Sequence, residues 1–192
     1  MHRLNASFVL GYHGCDESVA DRLLRGENFK SSQNTYDWLG HGIYFWEANP
    51  KRGFKWAESL ARKQKSKIQN PSVVGAIIDL RRCLDMTTKS GIDQIKQAYS
   101  TLSKSVEEAD TKLPDNGTDL MARHLDCAVI MTLHDIRNVE GLEAIDTVKG
   151  VFVEGAEAYP NSGFMKETHI QICVCNPECI RGVFRVPRSD LR

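Results

Sequence analysis

The chain has 192 residues, of which 41% are hydrophobic and 26% charged, and its formal net charge is zero. This length suits one domain with a sizeable core, and the balanced charge argues against a protein whose whole surface captures nucleic acid or anionic membranes. No apolar run approaches the roughly 20 residues of a membrane-spanning helix, so we expect no membrane contact.

The first third of the chain predicts alternating strands and helices. Apolar residues recur at helical spacing after Asp16, which predicts a helix that Asp16 caps and Gly26 ends. Pro50 suits the first position of a second helix. The predicted elements are a strand over 6–12, a helix over 16–25, a strand over 42–45 and a helix over 50–68.

The rest of the chain continues the mixture. A continuous apolar run over 73–80 predicts a strand buried on both faces, and a stripe at 3.6-residue spacing predicts a helix over 90–109. The other predictions are a helix over 118–125, either a strand or a buried helix over 127–133, and strands over 148–153, 169–175 and 182–186. Without repeats or linkers, residues 1–192 read as a single α+β domain.

Two short segments stand apart from these elements. Gly11-Tyr12-His13-Gly14 and, about thirty residues later, Trp38-Leu39-Gly40-His41-Gly42-Ile43-Tyr44-Phe45-Trp46 each place polar rings among glycines and large apolar residues. Glycines beside aromatic residues let a flat ligand approach the backbone and stack on a ring.

In this order and spacing, the two segments resemble the paired NAD-binding strands of ADP-ribosyltransferases, in the branch with diphtheria-toxin-like and poly(ADP-ribose)-polymerase-like enzymes. The resemblance is tightest over 11–57 and returns more loosely over 163–185. It implies an α+β fold in which split antiparallel sheets clasp NAD between flanking helices. No Gly-x-Gly-x-x-Gly segment follows a predicted strand, so a Rossmann mode is unsupported.

The resemblance assigns roles to the first two members of a His-Tyr-Glu set. His13 corresponds to the histidine that binds a ribose hydroxyl, and Gly14 to the glycine whose backbone meets the nicotinamide amide. Tyr44 corresponds to the tyrosine that packs against nicotinamide, with Gly42 just before it. Trp56 stands where a second aromatic closes the other face of the ring, and Phe54 is the alternative.

The third member of the set has two candidates. Glu167 opens the segment Glu167-Thr168-His169-Ile170-Gln171-Ile172, which resembles the family's late strand, and is the favoured choice. Period-two alternation places Gln171 on the same face, and some family members replace the glutamate. A glutamine can orient a ribose hydroxyl, but it cannot act as a general base.

Two further features flank this set. The predicted helix after Tyr44 is rich in lysine and arginine, and because it flanks the predicted pocket, one residue such as Arg52 could contact the NAD pyrophosphate. The other cations on this helix could attract nucleic acid, although a solvated helical face is the simpler interpretation. The loop from Tyr159 to Phe164 stands where the family carries residues that recognise the acceptor.

These residues predict a mono-ADP-ribosyltransferase with NAD as co-substrate and a protein, DNA or RNA acceptor, with a slight preference for nucleic acid. The resemblance further implies a bacterial toxin or phage-defence effector held by a neutralising, antitoxin-type partner. The alternatives are an NAD glycohydrolase and an inactive module that binds NAD or ADP-ribose.

Cysteines and the N-terminus bear on location and metals. Cys173, Cys175 and Cys179 form a cluster that could bind zinc with a fourth ligand such as His169. Alternation along a predicted strand favours buried, reduced thiols instead, so we expect no metal. The first residues lack the pattern of a secretory signal, which predicts a cytoplasmic protein.

Overall fold

The computed structural model describes residues 8–118 and 121–191. Within these ranges the chain is an α+β protein with one mixed seven-stranded sheet and four α-helices. The strands are β1 Phe8–Asp16, β2 Ile43–Glu47, β3 Pro71–Asp79, β4 Cys83–Asp85, β5 Thr147–Phe152, β6 His169–Val174 and β7 Ile180–Arg185. The helices are α1 Glu17–Leu24, α2 Pro50–Ala61, α3 Lys89–Glu108 and α4 His124–Val139.

The helix boundaries follow local chemistry. The Asp16 carboxylate caps α1 by accepting the Ser18 N–H at 3.0 Å, and Gly26 adopts a positive φ of 96° just beyond the helix, as predicted. Helix α2 ends at Ala61, earlier than expected. The residues from Arg62 to Lys67 are all polar and offer no apolar face to bury. Because helices in proteins are stabilised mainly by packing of an apolar face, the helix ends before them.

The ambiguous apolar run over 127–133 is helical, as part of α4. It packs against the sheet through Val129, Ile130 and Leu133, which share a helical face. Of the helix predicted over 118–125, Asp119 and Leu120 lie outside the described residues, and helical backbone begins only at His124. Residues 6 and 7 of the predicted first strand also lie outside the described residues.

The strands follow the order β4-β5-β6-β2-β1-β3-β7. All neighbours pair antiparallel except β4 and β5, which are parallel. The family resemblance predicts two separate sheets, whereas hydrogen bonds join all seven strands into one. The join in the middle is short: β1 and β2 pair only at Gly11–Glu47 and Tyr12–Trp46.

The two faces of the sheet carry different helices. On the first, which we call the α1 face, α1 and Phe29 cover Phe45, Val74 and Ile172. On the second, the α4 face, α3 and α4 cover β4, β5 and β6, while α2 packs over β1 and β3. None of the described helices has the length and apolarity that crossing a membrane requires.

Candidate functional site

Strands β1 and β2 separate at the first sequence motif. β1 stays paired with β3 through Asp16, and β2 stays paired with β6 from Ile43 to Trp46. Between β1 and β2 the described ladder ends at Tyr12–Trp46, so His13 and Gly14 have no paired residue on β2. We call this interruption of the ladder the β1–β2 opening. The two motifs therefore meet where the sheet opens.

The backbone of Gly14 points into this opening. The carbonyl of Leu10 accepts the Ala48 N–H at 2.9 Å, which shows that the backbone groups of Leu10 are directed toward β2. In an antiparallel strand every second residue shares that direction. The N–H and C=O of Tyr12 and of Gly14 are therefore directed the same way, and Gly14 lies beyond the last pair.

His13 bridges the opening with its side chain. Its Nδ1 donates to the carbonyl oxygen of Tyr44 at 2.9 Å. A carbonyl only accepts, so Nδ1 carries the proton and Nε2 is left with a lone pair. Burial lowers the pKa of His13, against the opposing effect of the bond to Tyr44, so the neutral imidazole is favoured. The ring packs edge-on against Phe29, with ring centroids 5.3 Å apart.

The hydroxyl of Tyr44 makes two hydrogen bonds, one as donor and one as acceptor. The hydroxyl donates to the Gly40 carbonyl at 2.8 Å and accepts the Leu39 N–H at 3.0 Å. Burial raises the pKa of this phenol far above its ordinary value, which excludes proton transfer by Tyr44 near neutral pH. What Tyr44 can offer a ligand is the side of a fixed ring.

The two rings lie on opposite faces of the sheet. His13 lies beside Phe45, which belongs to the α1 face, with their ring centroids 5.7 Å apart. Neighbouring residues of a strand point to opposite faces, so the Tyr44 side chain lies on the α4 face, where it packs with Leu39 and Cys173. The resemblance predicts that both residues contact one NAD molecule. In the structure, the two residues are connected only by the hydrogen bond from His13 to the Tyr44 carbonyl, at the opening between β1 and β2.

The two predicted glycines have tight packing roles. A methyl group at Gly14 would lie 2.2 Å from the Gly53 carbonyl oxygen of α2, and one at Gly42 would lie 2.4 Å from the Cys173 sulfur. Only glycine lets α2 approach β1 and the 38–42 segment approach β6 so closely. Trp56, half-buried on α2, borders the Gly14 position, and its ring centroid lies 5.4 Å from that of Trp46.

Gln171 belongs to a directed hydrogen-bond chain on the α4 face. Its Oε1 accepts the Trp38 indole N–H at 2.6 Å, and its Nε2 lies 3.1 Å from Nε2 of His169. His169 Nδ1 donates to the Glu167 carbonyl at 2.6 Å, which leaves His169 Nε2 to accept from Gln171. Burial lowers the pKa of His169 and favours the neutral form that this chain requires.

Glu167 occupies a different place from Gln171. It precedes β6 by two residues, and its carboxylate lies 3.7 Å from Arg52 Nε and 3.7 Å from Lys55 Nζ. Arg52 also pairs closely with Glu154 and is largely buried. The guanidinium expected to meet a pyrophosphate therefore already holds two carboxylates at the start of the β5–β6 connection.

Several residues without a predicted role line the same region. Trp46 pairs with Gln171 across β2 and β6, and among the described residues its buried indole N–H has no hydrogen-bond partner. The guanidinium of Arg123 lies 4.3 Å from the Phe152 ring centroid and 5.0 Å from that of Trp38. The sequence signal for His169 was its alternation with Gln171; Arg123 gave none.

The cysteine cluster divides between two cores. Cys173 packs with the α4-face core, whereas Cys179 belongs to the α1-face core, so the cluster is not one ligand set. All six cysteines are free thiols. Cys175 lies 3.9 Å from His134 Nε2, and hydrogen bonding by Cys173, together with His134, lowers the pKa of Cys175 to about 6.

Comparison with known proteins gives a distant relative. An uncharacterized protein of Methanocaldococcus jannaschii is 24% identical over 186 aligned residues, covering 88% of this chain and 83% of that protein. No protein-family model matches the chain, and no solved structure matches it.

Proposed function

We propose that this protein binds NAD at the opening between β1 and β2, cleaves the bond between nicotinamide and ribose, and transfers ADP-ribose to a macromolecule. The observation that carries this proposal is the end of the β1–β2 ladder at Tyr12–Trp46. It leaves the Gly14 backbone without a paired residue on β2, beside the Tyr44 carbonyl that His13 binds, next to the two motifs that resemble NAD-binding strands.

Nicotinamide fits the groups around Gly14. Its carboxamide has one acceptor and two donors, which match a strand N–H and C=O pointing the same way. The Tyr44 and Trp56 rings offer apolar sides, and the buried indole N–H of Trp46, which has no partner within residues 8–118 and 121–191, is a donor on the same face. A buried donor without a partner costs stability, so a ligand acceptor there is favourable.

The ribose hydroxyls need acceptors and donors in fixed orientation. From the α1-face side of the opening, His13 supplies the Nε2 lone pair, because Nδ1–H is committed to Tyr44. Gln171 supplies its second amide N–H, because Trp38 and His169 fix the amide orientation. We therefore favour Gln171 over Glu167 as the residue that orients the reacting ribose.

The reaction itself is a substitution at C1′ of that ribose. The C1′–N bond breaks and its electron pair leaves with nicotinamide, while an acceptor nucleophile bonds to C1′ and gives up its proton. Positive charge develops on the ribose before the new bond forms, and fixed dipoles stabilise it. Glutamine cannot take the acceptor proton, so the half-exposed Glu167 carboxylate is the candidate base.

The test is incubation with NAD labelled in the adenylate moiety, followed by separation of protein, DNA, RNA and free ADP-ribose. We expect nicotinamide release and label on a macromolecule. His13→Ala, Tyr44→Ala and Gln171→Ala abolish both, whereas Glu167→Gln still releases nicotinamide but transfers label more slowly.

Other outcomes have distinct meanings. Label found only in free ADP-ribose indicates a glycohydrolase, and NAD binding without nicotinamide release indicates an inactive binding module. Tyr36→Ala is the control for Tyr44→Ala, because the Tyr36 ring is exposed and its ring contact is with His124, at the start of α4. Equal activity of wild type and Tyr44→Ala contradicts the proposal.

A further inference from the structure

The connection between β5 and β6 is a projecting hairpin. The Glu167 N–H donates to Glu154 O at 3.0 Å, the Lys166 N–H to Ala156 O at 2.9 Å, and the Ala158 N–H to Phe164 O at 2.8 Å. These bonds form an ordered antiparallel arm over residues 154–167, which we call the hairpin arm. Its base lies beside His169, next to the candidate site.

The tip of the hairpin arm exposes two aromatic rings. Phe164 is 72% exposed and Tyr159 is 58% exposed, on either side of a turn closed by the Ser162 N–H to Tyr159 carbonyl bond of 3.0 Å. Large apolar side chains held in solvent by an ordered turn are unfavourable for an isolated protein and typical of a contact surface.

Helix α2, which contacts the base of the hairpin arm, and the residues that follow it are rich in lysine and arginine. Segment 50–67 carries seven lysines and arginines and a single acidic residue, Glu58; all seven except Arg52 are exposed. The exposed six are Lys51, Lys55, Arg62, Lys63, Lys65 and Lys67. Since the chain as a whole is neutral, this is a local concentration of positive charge.

The arm and this segment are joined at the base. Arg52 contacts Glu154 and Glu167, and Lys55 contacts Glu167, so these two carboxylates of the arm are already paired with cations of α2. Among the described residues the third, Glu157, accepts the Asn161 N–H within the turn. The exposed cations of segment 50–67 and the exposed rings of the hairpin arm therefore lie on two elements that touch at the base of the arm, and the combined formal charge of the two elements is positive.

We propose that the surface of these two elements binds single-stranded nucleic acid and presents it as the acceptor of ADP-ribose. The inference rests on the proposed function. Cations that follow a phosphate backbone, combined with exposed rings on which bases stack, are the combination that binds single strands without sequence preference. A single strand supplies both phosphates and flat bases along its whole length, whereas a protein acceptor would need acidic side chains at the matching positions.

The first experiment measures binding without NAD. Fluorescent single-stranded DNA and RNA oligonucleotides are titrated with the full chain, and fluorescence anisotropy is followed over a salt series. We expect Tyr159→Ala and Phe164→Ala each to weaken binding at least about fivefold. Lys51→Ala with Lys63→Ala lowers the salt slope by about 0.7 for each phosphate that a lysine no longer neutralises.

The controls are chosen from exposed residues elsewhere. Lys96→Ala with Lys104→Ala removes two exposed cations from α3, and we expect binding unchanged. All altered side chains are exposed, so thermal unfolding of every variant should match wild type. Binding that is absent, or equally weakened by the α3 variant, overturns the proposal.

A second experiment separates this inference from the proposed function. Labelled NAD is added with the oligonucleotide and with cell protein, and the fractions are separated. Label on the oligonucleotide that falls with Phe164→Ala supports the inference. Label on protein alone overturns it while the proposed function stands. If no nicotinamide is released, the proposed function fails, and the binding titration alone decides whether this surface holds a single strand.

Discussion

At the scale of single residues, the site depends on which nitrogen of each histidine carries the proton. His13 and His169 both donate through Nδ1 to a backbone carbonyl and so offer Nε2 as an acceptor. For His169 that acceptor receives the Gln171 amide. A second proton on His169 would place its Nε2–H against the Gln171 amide N–H, which is also a donor. The Gln171 amide, which we expect to face the ribose, would then have to rotate.

The His169 chain predicts a pH dependence of stability. Burial lowers the pKa of His169 below its ordinary 6.5, so the unfolded state binds the proton more tightly. The contribution to the free energy of unfolding is therefore complete above about pH 6.5 and is lost as the pH falls toward the lowered value. Urea unfolding between pH 5 and 8 should show a steeper acid loss for wild type than for His169→Gln; parallel curves contradict this.

Cys175 predicts a reactivity that the other cysteines lack. Hydrogen bonding by Cys173 and contact with His134 lower the pKa of Cys175 to about 6, whereas burial raises that of Cys15 to about 12 and that of Cys179 to about 11. With limiting iodoacetamide at pH 7, Cys175 should be alkylated first, as read by peptide mass spectrometry, and His134→Gln should slow it. Uniform labelling would refute the assignment.

At the scale of elements, close backbone approach fixes α2 against β1. A methyl group at Gly14 meets the Gly53 carbonyl, a backbone atom that cannot rotate away. We expect Gly14→Ala to lower the free energy of unfolding by about 1–3 kcal/mol. Gly163→Ala is the matched control, since a methyl group there meets nothing within 4 Å and should change little. Equal stability of the two variants would mean that α2 is free to shift.

The start of α1 is a second position where one residue holds neighbouring elements together. The Asp16 carboxylate caps α1 and also accepts the N–H groups of Gln69 and Asn70 at 2.8 and 2.9 Å. These bonds, with that of Ser18, hold the pKa of Asp16 well below its usual range, so its contribution is present above about pH 3.8 and fades below it. Asp16→Ala should cost about 1–3 kcal/mol at pH 7 in chemical unfolding. Asp21→Ala, which removes only an exposed ion pair, should cost far less.

The sequence predicted most of these elements but not their partners. Helical spacing placed α1 and α3, and apolar or alternating runs placed β3, β5 and β6, near their observed bounds, whereas β1 continues four residues beyond the predicted end at residue 12. Strand β4 is three residues long and the run in α4 is apolar on nearly all sides, so neither carries a decisive period. The pairings Trp38–Gln171 and Arg52–Glu154 span more than 100 residues, and no local pattern records them.

At the scale of the whole molecule, the site lies where two halves of one sheet meet. Strands β4, β5, β6 and β2 form one half and β1, β3 and β7 the other, with two residue pairs between them. The α4-face core belongs to the first half, whereas the α1-face core joins Phe45 and Ile172 of the first half to Ala76 and Ile78 of the second, so both halves contribute residues at the join. Both sequence motifs lie at this join, although the sequence did not predict a join, and the opposite faces of His13 and Tyr44 follow only from the strand geometry.

The most direct measurement is a ¹H–¹⁵N correlation spectrum of the full chain, titrated with NAD. Binding of NAD at the β1–β2 opening predicts that the Gly14 amide and the indole N–H signals of Trp46 and Trp56 shift together with NAD concentration, and that His13→Ala weakens the response. The apolar cavity between α3 and α4, lined by Ile95, Tyr99 and Leu125, provides internal controls whose signals should stay in place. Signals at Gly14 and Trp46 that do not move, or shifts confined to the α3–α4 cavity, would contradict the claim that NAD binds where β1 and β2 separate.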